Sequence, residues 1–418
     1  MSEKNFNATP PPTLLVMFNR PHKAAEVFAK VRQVKPSKLF IAVDGARPDH
    51  PGEADKVRQC QAFAQMVDWD CDVKTDFAAS NMGCRDRVAS AITWAFEHVE
   101  ELIILEDDCV PDVSFFRFCQ ELLEKYRDDN RIFSIGGSNH DYCEPFKESY
   151  AFSKRIYCWG WATWRRAWKH FDITMKAWST FKQDKYVKNI FRKYDRTYFT
   201  NEFQMTYDEK INAWDYRFWL NCLANHGLHI VPRVNLVRNT GFEPGGVNTS
   251  FPTIDHLYMD EPMEFPLIHP EIMSPLDRLS MPPNLPADEI NRTLSEYDAT
   301  FKQLLKLKQY HAVIIFFKQV LRQRFTDFLP TTHHLNFAYY VALSYFRLKD
   351  YEHAAALLDI LLTIDPQNVD LLLFQARTLI CLGAFDRAAG VVEKMCALEV
   401  DDAHRAEIAE LVAALGVR

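Results

Sequence analysis

No stretch of this chain is apolar over the length of a membrane span, and the opening Met1-Ser2-Glu3-Lys4-Asn5 has no apolar core of the kind that directs export. These two absences lead us to expect a cytoplasmic protein. The ten cysteines form no CxxC pair and read as reduced thiols, mostly in the core. Positive charge is not in excess either. The formal net charge of −7 argues against broad electrostatic binding of nucleic acid. Glycine is sparse, 13 in 418, and the first strand is followed neither by the Gly-rich turn of a dinucleotide fold nor by a P-loop. Tryptophan is missing from the C-terminal part: all nine lie between Trp69 and Trp219. That shift in composition points to two kinds of domain.

What is present is an ordinary globular composition, 48% apolar and 25% charged, in a length that suits about two or three domains. After a polar leader, residues 1–12, the stretches Thr13–Phe18 and Lys38–Val43 read as strands flanking a helix over Ala24–Val34. This is a βαβ unit, so the sheet there is expected to be parallel. A helix over Glu53–Val67, a strand over Asp72–Thr75, a helix over Asp86–Val99 and a strand at 102–105 continue the alternation. A helix over Pro111–Arg127 and a strand over Arg131–Ile135 follow.

The centre of this pattern is Glu101-Leu102-Ile103-Ile104-Leu105-Glu106-Asp107-Asp108-Cys109-Val110-Pro111-Asp112. A buried strand runs straight into three acids, with Pro111 expected to stop the ladder. Strand ends of open α/β sheets are where such folds hold ligands. Crowded carboxylates repel one another, so a hard divalent ion, Mn²⁺ or Mg²⁺, with a diphosphate is one reading. A solvated turn is the other. Cys109 reads either as a soft ligand or as packing. Arg20, at the end of the first strand, offers a guanidinium to phosphate.

From 150 to 250 the chain becomes irregular and aromatic. Trp159-Gly160-Trp161-Ala162-Thr163-Trp164-Arg165-Arg166-Ala167-Trp168 carries rings that suit a protein core or the C–H face of a sugar, and we expect a cleft wall there. Asp215, between Trp214 and Tyr216 at the start of an apolar helix, suits a general base in a poorly solvated place or an N-cap. Strands are expected at 229–232 and 234–237, then a Gly-rich turn at 240–246.

Residues 262–286 hold seven of the 21 prolines and read as a surface linker or a lid. Beyond about residue 290 the pattern is helical. Leu348-Lys349-Asp350-Tyr351-Glu352-His353-Ala354-Ala355 recurs 34 residues later as Leu382-Gly383-Ala384-Phe385-Asp386-Arg387-Ala388-Ala389. That period, with Ala342, Tyr345, Ala354 and Pro366 at the small, aromatic, small and proline positions, is that of a tetratricopeptide helix pair. Leu307–Ala312 looks like a degenerate further unit. Such repeats point to a protein partner or self-association, or to a helical cap on the first domain.

Residues 13–270 resemble bacterial GT-A-fold glycosyltransferases of the nucleotide-diphospho-sugar transferase superfamily, distantly like the N-acetylglucosaminyltransferase I group. The resemblance rests on Phe18-Asn19-Arg20-Pro21, Val43-Asp44-Gly45, Asn81-Met82-Gly83-Cys84-Arg85, Leu105-Glu106-Asp107-Asp108, Trp159-Gly160-Trp161-Ala162-Thr163-Trp164-Arg165, Trp214-Asp215-Tyr216, Asn235-Leu236-Val237 and Phe265–Pro270 in this order. It implies an α/β domain with a mostly parallel, Rossmann-like sheet at 13–270. A proline-rich linker at 271–292 and an all-α tetratricopeptide-like domain at 293–418 would follow.

By the resemblance, Asp108 would bind the metal, Asp107 would face the ribose and Glu106 the donor sugar. Asn19, Arg20, Asn81 and Arg85 would line the nucleotide, and Asp44 would accept from a uracil N–H, favouring a UDP-sugar. Asp215 would be the base of an inverting transfer to a glycan or protein hydroxyl. Trp159, Trp161, Trp164 and Arg165 would form the acceptor cleft. The setting would be the bacterial cytosol, with visits to the inner membrane face. One departure stands out: relatives carry Thr-His-Thr after the Gly-rich turn, and the matching place here reads Val247-Asn248-Thr249.

Two other readings compete. A sugar-1-phosphate nucleotidyltransferase would need a Gly-rich loop after the first strand, and Asn19-Arg20-Pro21-His22-Lys23 has no glycine. A non-catalytic scaffold would leave the work to the repeats and make the acids vestigial.

Overall fold

Among the described residues ten strands form: β1 (Thr13–Met17), β2 (Lys38–Val43), β3 (Asp72–Phe77), β4 (Glu101–Glu106), β5 (Cys109–Pro111), β6 (Ile132–Gly136), β7 (Tyr150–Ser153), β8 (Trp161–Trp164), β9 (Leu228–Pro232) and β10 (Val237–Asn239). The structure is a computed structural model and describes residues 10–139, 147–191, 195–241, 261–275, 287–311, 313–314, 317, 332–398 and 400–415. The leader residues 1–9, the turn at 242–250 with Glu243 and Asn248, most of the proline-rich segment and part of the degenerate unit at 307–312 lie outside them.

Eight strands make one sheet in the order β3-β2-β1-β4-β8-β6-β9-β7, and β10 pairs with β5 in a separate ribbon. The four strands β3, β2, β1 and β4 are mutually parallel, with Leu15 opposite Ile41 on one side and Leu105 on the other. β8 then enters antiparallel beside β4.

The inner parallel strands β1, β2 and β4 are apolar through their centres because both of their faces are covered, whereas the edge strand β3, with Asp72, Lys74 and Asp76, is polar and partly exposed. Leu15, Met17, Leu39, Ile41, Ile103 and Leu105 point into one core, with Val27, Phe28 and Val31 of α1 (Pro21–Val34) and Phe115, Phe118 and Leu122 of α4 (Val113–Lys125). Their alternate neighbours Leu14, Val16, Phe40, Ala42, Leu102 and Ile104 point into the opposite core, with Val88 and Ile92 of α3 (Gly83–Ala95). Helix α2 (Glu53–Ala62) adds Val57 and Cys60 to the first core, and a 3₁₀ turn at Phe63–Met66 follows it.

Several expectations change. Pro111 does not stop the ladder: it pairs with Val237 at the end of a three-residue ribbon strand, where its missing N–H costs nothing to a central sheet. The helix expected from Pro111 therefore starts at Val113, after Asp112, whose Oδ1 accepts from Ser114 N at 2.8 Å and caps it. Residues 234–236 are not strand, and pairing resumes at Val237.

The aromatic stretch forms β8 and a short helix, α5 (Arg165–Trp168). Further short helices α6 (Trp178–Phe181), α7 (Asp184–Ile190) and α8 (Asp195–Tyr207) lead to α9 (Asp215–Ala224), whose Phe218, Trp219 and Leu220 pack in the second core.

The chain divides into two compact units, one of residues before 242 with 259–281, the other chiefly of residues from 282 on. In the second unit the helices described include Ala287–Lys306, Thr332–Arg347, Tyr351–Ile364, Val369–Leu382, Phe385–Cys396 and Asp402–Leu415. The 34-residue repeat is visible in equivalent starts at Tyr351 and Phe385. Ala354 and Ala388, both fully buried, are the small positions where neighbouring helices approach. Asp350 and Asn368 cap their helices, and Gly383 ends one with a left-handed φ of 80°. No helix among the described residues is long and apolar enough to cross a membrane.

Candidate active site

The chain runs from β1 into a helix on one side of the sheet and returns to β4 from the other. The crevice beyond the C-terminal ends of β1 and β4 is thus a topological switch point, the usual ligand position in an open α/β sheet. Arg20 leaves the end of β1 there, and the three acids leave the end of β4. The Arg20 guanidinium hydrogen-bonds Asp107 and reaches Asp108 Oδ2 at 2.8 Å. Phe18 N donates to Asp107 Oδ2 at 3.3 Å. Burial alone would lower the pKa of Arg20, but Asp107 and Asp108 outweigh it and push the group above its usual value. It stays charged.

Asp215, 107 residues after Asp108 in the chain, arrives at the same place as the first residue of α9. Burial, then Asp108, Asp107 and Asp215, push the Glu106 carboxyl up to about 8, against the pull of Arg20. Asp215 is raised as well, by burial, and its Oδ1 accepts from Tyr216 N at 2.9 Å. Trp214, with no side-chain cap bond, occupies the N-cap position, so Asp215 is not the N-cap. The Cys158 thiol lies 3.8 Å from Asp215 Oδ2, and Cys109 Sγ lies 3.5 Å from Asp108 Oδ1. Burial pushes both thiols well up, and each packs against an acid of the site.

The residues just after the second ribbon strand meet the site. Thr240 N donates to the Asp108 carbonyl at 2.8 Å, and Lys23 Nζ bonds the Thr240 carbonyl. Gly241 lies so close that a Cβ there would be 2.2 Å from Asp108 Oδ2. The sequence carried no readable signal for this ribbon, because its strands are three residues each.

The acids outnumber the cation that faces them, and Glu106 shows the resulting repulsion. Among the described residues no group of three or more His, Cys, Asp and Glu side chains is set to hold a metal ion. A divalent cation here would take one or two protein oxygens, from Asp108 and Glu106, and the rest from a diphosphate and water. That is the usual way Mg²⁺ is held at a nucleotide, and the hard, negatively charged donor set fits it.

The other expected site residues have protein partners. Each Asp44 oxygen already accepts two N–H groups: Oδ1 from Gly45 N and Met82 N, Oδ2 from Asn81 Nδ2 and Gly83 N, at 2.8 to 3.1 Å. With its lone pairs filled and only 4% exposed, Asp44 braces the 80–83 loop and is not available to a uracil N–H. Asn81 is used in the same brace, also donating to the Gly45 carbonyl at 3.0 Å. Asn19 donates to Glu53 Oε1 at 2.9 Å. Arg85 pairs with Asp86 and Glu209. Asp107 is 3% exposed and engaged by Arg20, which leaves little of it for a ribose.

The cleft wall is corrected similarly. Trp161 is fully buried and stacks on Trp214 at 5.3 Å, and Trp164, 2% exposed, donates to the Leu123 carbonyl at 3.2 Å. Arg165 clamps the Val99 carbonyl at 2.9 Å and pairs with Glu100. Of these four residues only Trp159 is a half-buried ring near the crevice, next to Cys158, and its carbonyl accepts from Ser138 Oγ at 2.9 Å.

In comparison with known proteins, residues 335–378 match the family model of the Fis1 C-terminal tetratricopeptide repeat. This supports a tetratricopeptide-like helical domain at the C-terminus. The search of curated proteins finds no match.

Proposed function

We propose that the first unit is a metal-dependent, inverting glycosyltransferase, moving a sugar from a nucleotide-diphosphate sugar to a glycan or protein hydroxyl. The observation that carries this reading is the pairing of Arg20 with Asp107 and Asp108 at the β1–β4 switch point, with Asp215 near enough to raise Glu106 beside them. A strand-end acid cluster alone would suit any cation. A second, poorly solvated carboxylate from 107 residues away, within electrostatic reach of Glu106, suits a displacement at a sugar carbon.

In this reading Asp215 takes the proton of the acceptor hydroxyl. The acceptor oxygen forms its bond to the anomeric carbon as the bond to the diphosphate oxygen breaks and that oxygen keeps the electron pair. Arg20 shares its charge with the departing diphosphate, and its pairing with Asp107 fixes its position beforehand. A Mn²⁺ or Mg²⁺ ion held by Asp108, with Glu106, would supply further charge neutralisation on the diphosphate.

The second unit, a tetratricopeptide-like stack, is of a kind that commonly binds proteins; we read it as the site of a protein partner or of self-association. The test of the first unit is calorimetric titration of the full chain with nucleotide-diphosphate sugars, with and without Mn²⁺, beside mass spectrometry of the products. Binding that requires Mn²⁺ supports the proposal. No binding in either condition would leave the scaffold reading.

A further inference from the structure

This inference rests on the reading of the first unit as a nucleotide-sugar enzyme and concerns which base it takes. Arg47, just beyond β2, is gripped side-on by Glu53. Arg47 Nε lies 3.2 and 3.1 Å from the two Glu53 oxygens, Nη2 lies 2.5 Å from Oε1, and Arg47 N donates to Oε2 at 2.7 Å. Glu53 is 5% exposed at the start of α2 and is braced again by Asn19 at 2.9 Å, so the guanidinium is held in a fixed plane. That guanidinium lies over the Phe18 ring, 5.5 Å from its centroid. Phe18 is half-buried, its N–H is the one that meets Asp107, and Arg20 follows two positions later. A flat cationic platform therefore stands a short chain step from the group assigned to the diphosphate.

Glu53 occupies the Nε/Nη2 side of the fork. The opposite edge, Nη1 with the second Nη2 hydrogen, meets no other described side chain or carbonyl, and the Arg47 side chain is 38% exposed. A guanidinium edge pairs best with two coplanar acceptors set side by side. Guanine presents O6 and N7 in that arrangement, and cytosine presents N3 and O2. Uracil has an N–H between its carbonyls, and adenine has an amino donor beside N7. The residue expected to read a uracil N–H, Asp44, has both oxygens filled.

We propose that Arg47, seated on Phe18 and held by Glu53, reads the base and selects a nucleoside diphosphate with two adjacent acceptors, guanine or cytosine, over uracil and adenine.

The test is calorimetric titration of the full chain with GDP, CDP, UDP and ADP, each with Mn²⁺, on the parent and on Arg47→Lys. The better of GDP and CDP should bind about tenfold or more tighter than UDP and ADP, the worth of a good bidentate contact. Comparing GDP with CDP identifies the base. Arg47→Lys keeps the charge but loses the planar fork, so it should close that gap while UDP binding stays near the parent value. The parent panel alone tests the preference should the variant fold poorly. UDP or ADP binding as tightly as GDP and CDP overturns the inference and leaves the glycosyltransferase reading standing. An unchanged preference in Arg47→Lys overturns the role of Arg47. Failure of all four nucleotides to bind overturns both readings.

Discussion

Gly241 and Asp108 are in contact across 133 positions of sequence, with no room between them for a methyl group. A Cβ on Gly241 would stand 2.2 Å from Asp108 Oδ2 and 2.9 Å from its carboxyl carbon. The acid expected to carry the metal thus has its position set partly by the backbone of a distant glycine.

Gly241→Ala should therefore displace the Asp108 carboxylate and break its 2.8 Å bond from Arg20. A charge-assisted bond is worth about 1.5–3 kcal/mol, so metal-dependent donor binding should weaken by about ten- to a hundredfold while the fold persists. Calorimetry with Mn²⁺ checks this. Parent-like affinity would mean that Asp108 tolerates the shift and that its position does not matter.

Asp108→Asn should remove the metal dependence of donor binding. The variant keeps the size of the side chain and a carbonyl oxygen but loses the charge, at a cost of several kcal/mol of diphosphate stabilisation. Titration with and without Mn²⁺ should give the same weak affinity. A retained Mn²⁺ response would shift the metal onto Glu106.

Trp161→Ala separates a core ring from a sugar platform. Trp161 is fully buried among Trp168, Trp214 and Phe218, so truncation should lower unfolding free energy by about 3–5 kcal/mol. A cleft-lining ring would change stability by only about 0.5 kcal/mol and would instead reduce acceptor affinity. Denaturant unfolding distinguishes the two.

His229 gives a pH-dependent prediction. It is fully buried, hydrogen-bonded to Ser134 Oγ at 2.6 Å, and its Nε2 has no partner among the described residues. Burial pushes its pKa down to about 3 from 6.5. The folded-state pKa is below the unfolded one, so stability is intact above pH 6.5 and is lost as pH falls through the window down to 3. At pH 5 the loss from this one group is about 2 kcal/mol. His229→Asn should flatten that limb of the stability profile relative to the parent, whatever its effect at neutral pH. An identical acid limb in both proteins would contradict the prediction.

The parts of the fold that could be read in the sequence are those where burial on both faces forces long apolar runs. Leu14–Met17, Leu39–Val43 and Leu102–Leu105 announce β1, β2 and β4, and the 34-residue recurrence announces the helix pairs. Arg20 and the acids were legible as chemistry, because strand ends and charge are both visible in one dimension. The ribbon of β5 and β10 was not, since three residues carry no periodicity. Nor was the role of Asp44, because three of its four N–H donors come from the 81–83 segment, 37 to 39 residues away. The tryptophans misled for a physical reason: the same flat apolar ring suits a core and a sugar, and only packing decides. For Asp215, the sequence offered an acid among aromatics, while its proximity to Glu106 exists only in the folded sheet.

The central claim is tested most directly by Asp215→Asn, with donor affinity measured by calorimetry and transfer by mass spectrometry on the same preparation. The account predicts donor and Mn²⁺ affinity close to the parent, since those contacts belong to Arg20 and Asp108, with transfer reduced by about 10²–10⁴-fold, the worth of a positioned base. Unimpaired transfer would contradict the assignment and move the base to Glu202, the acid beside Asp215 and Tyr216, or to Glu243, which lies outside the described residues.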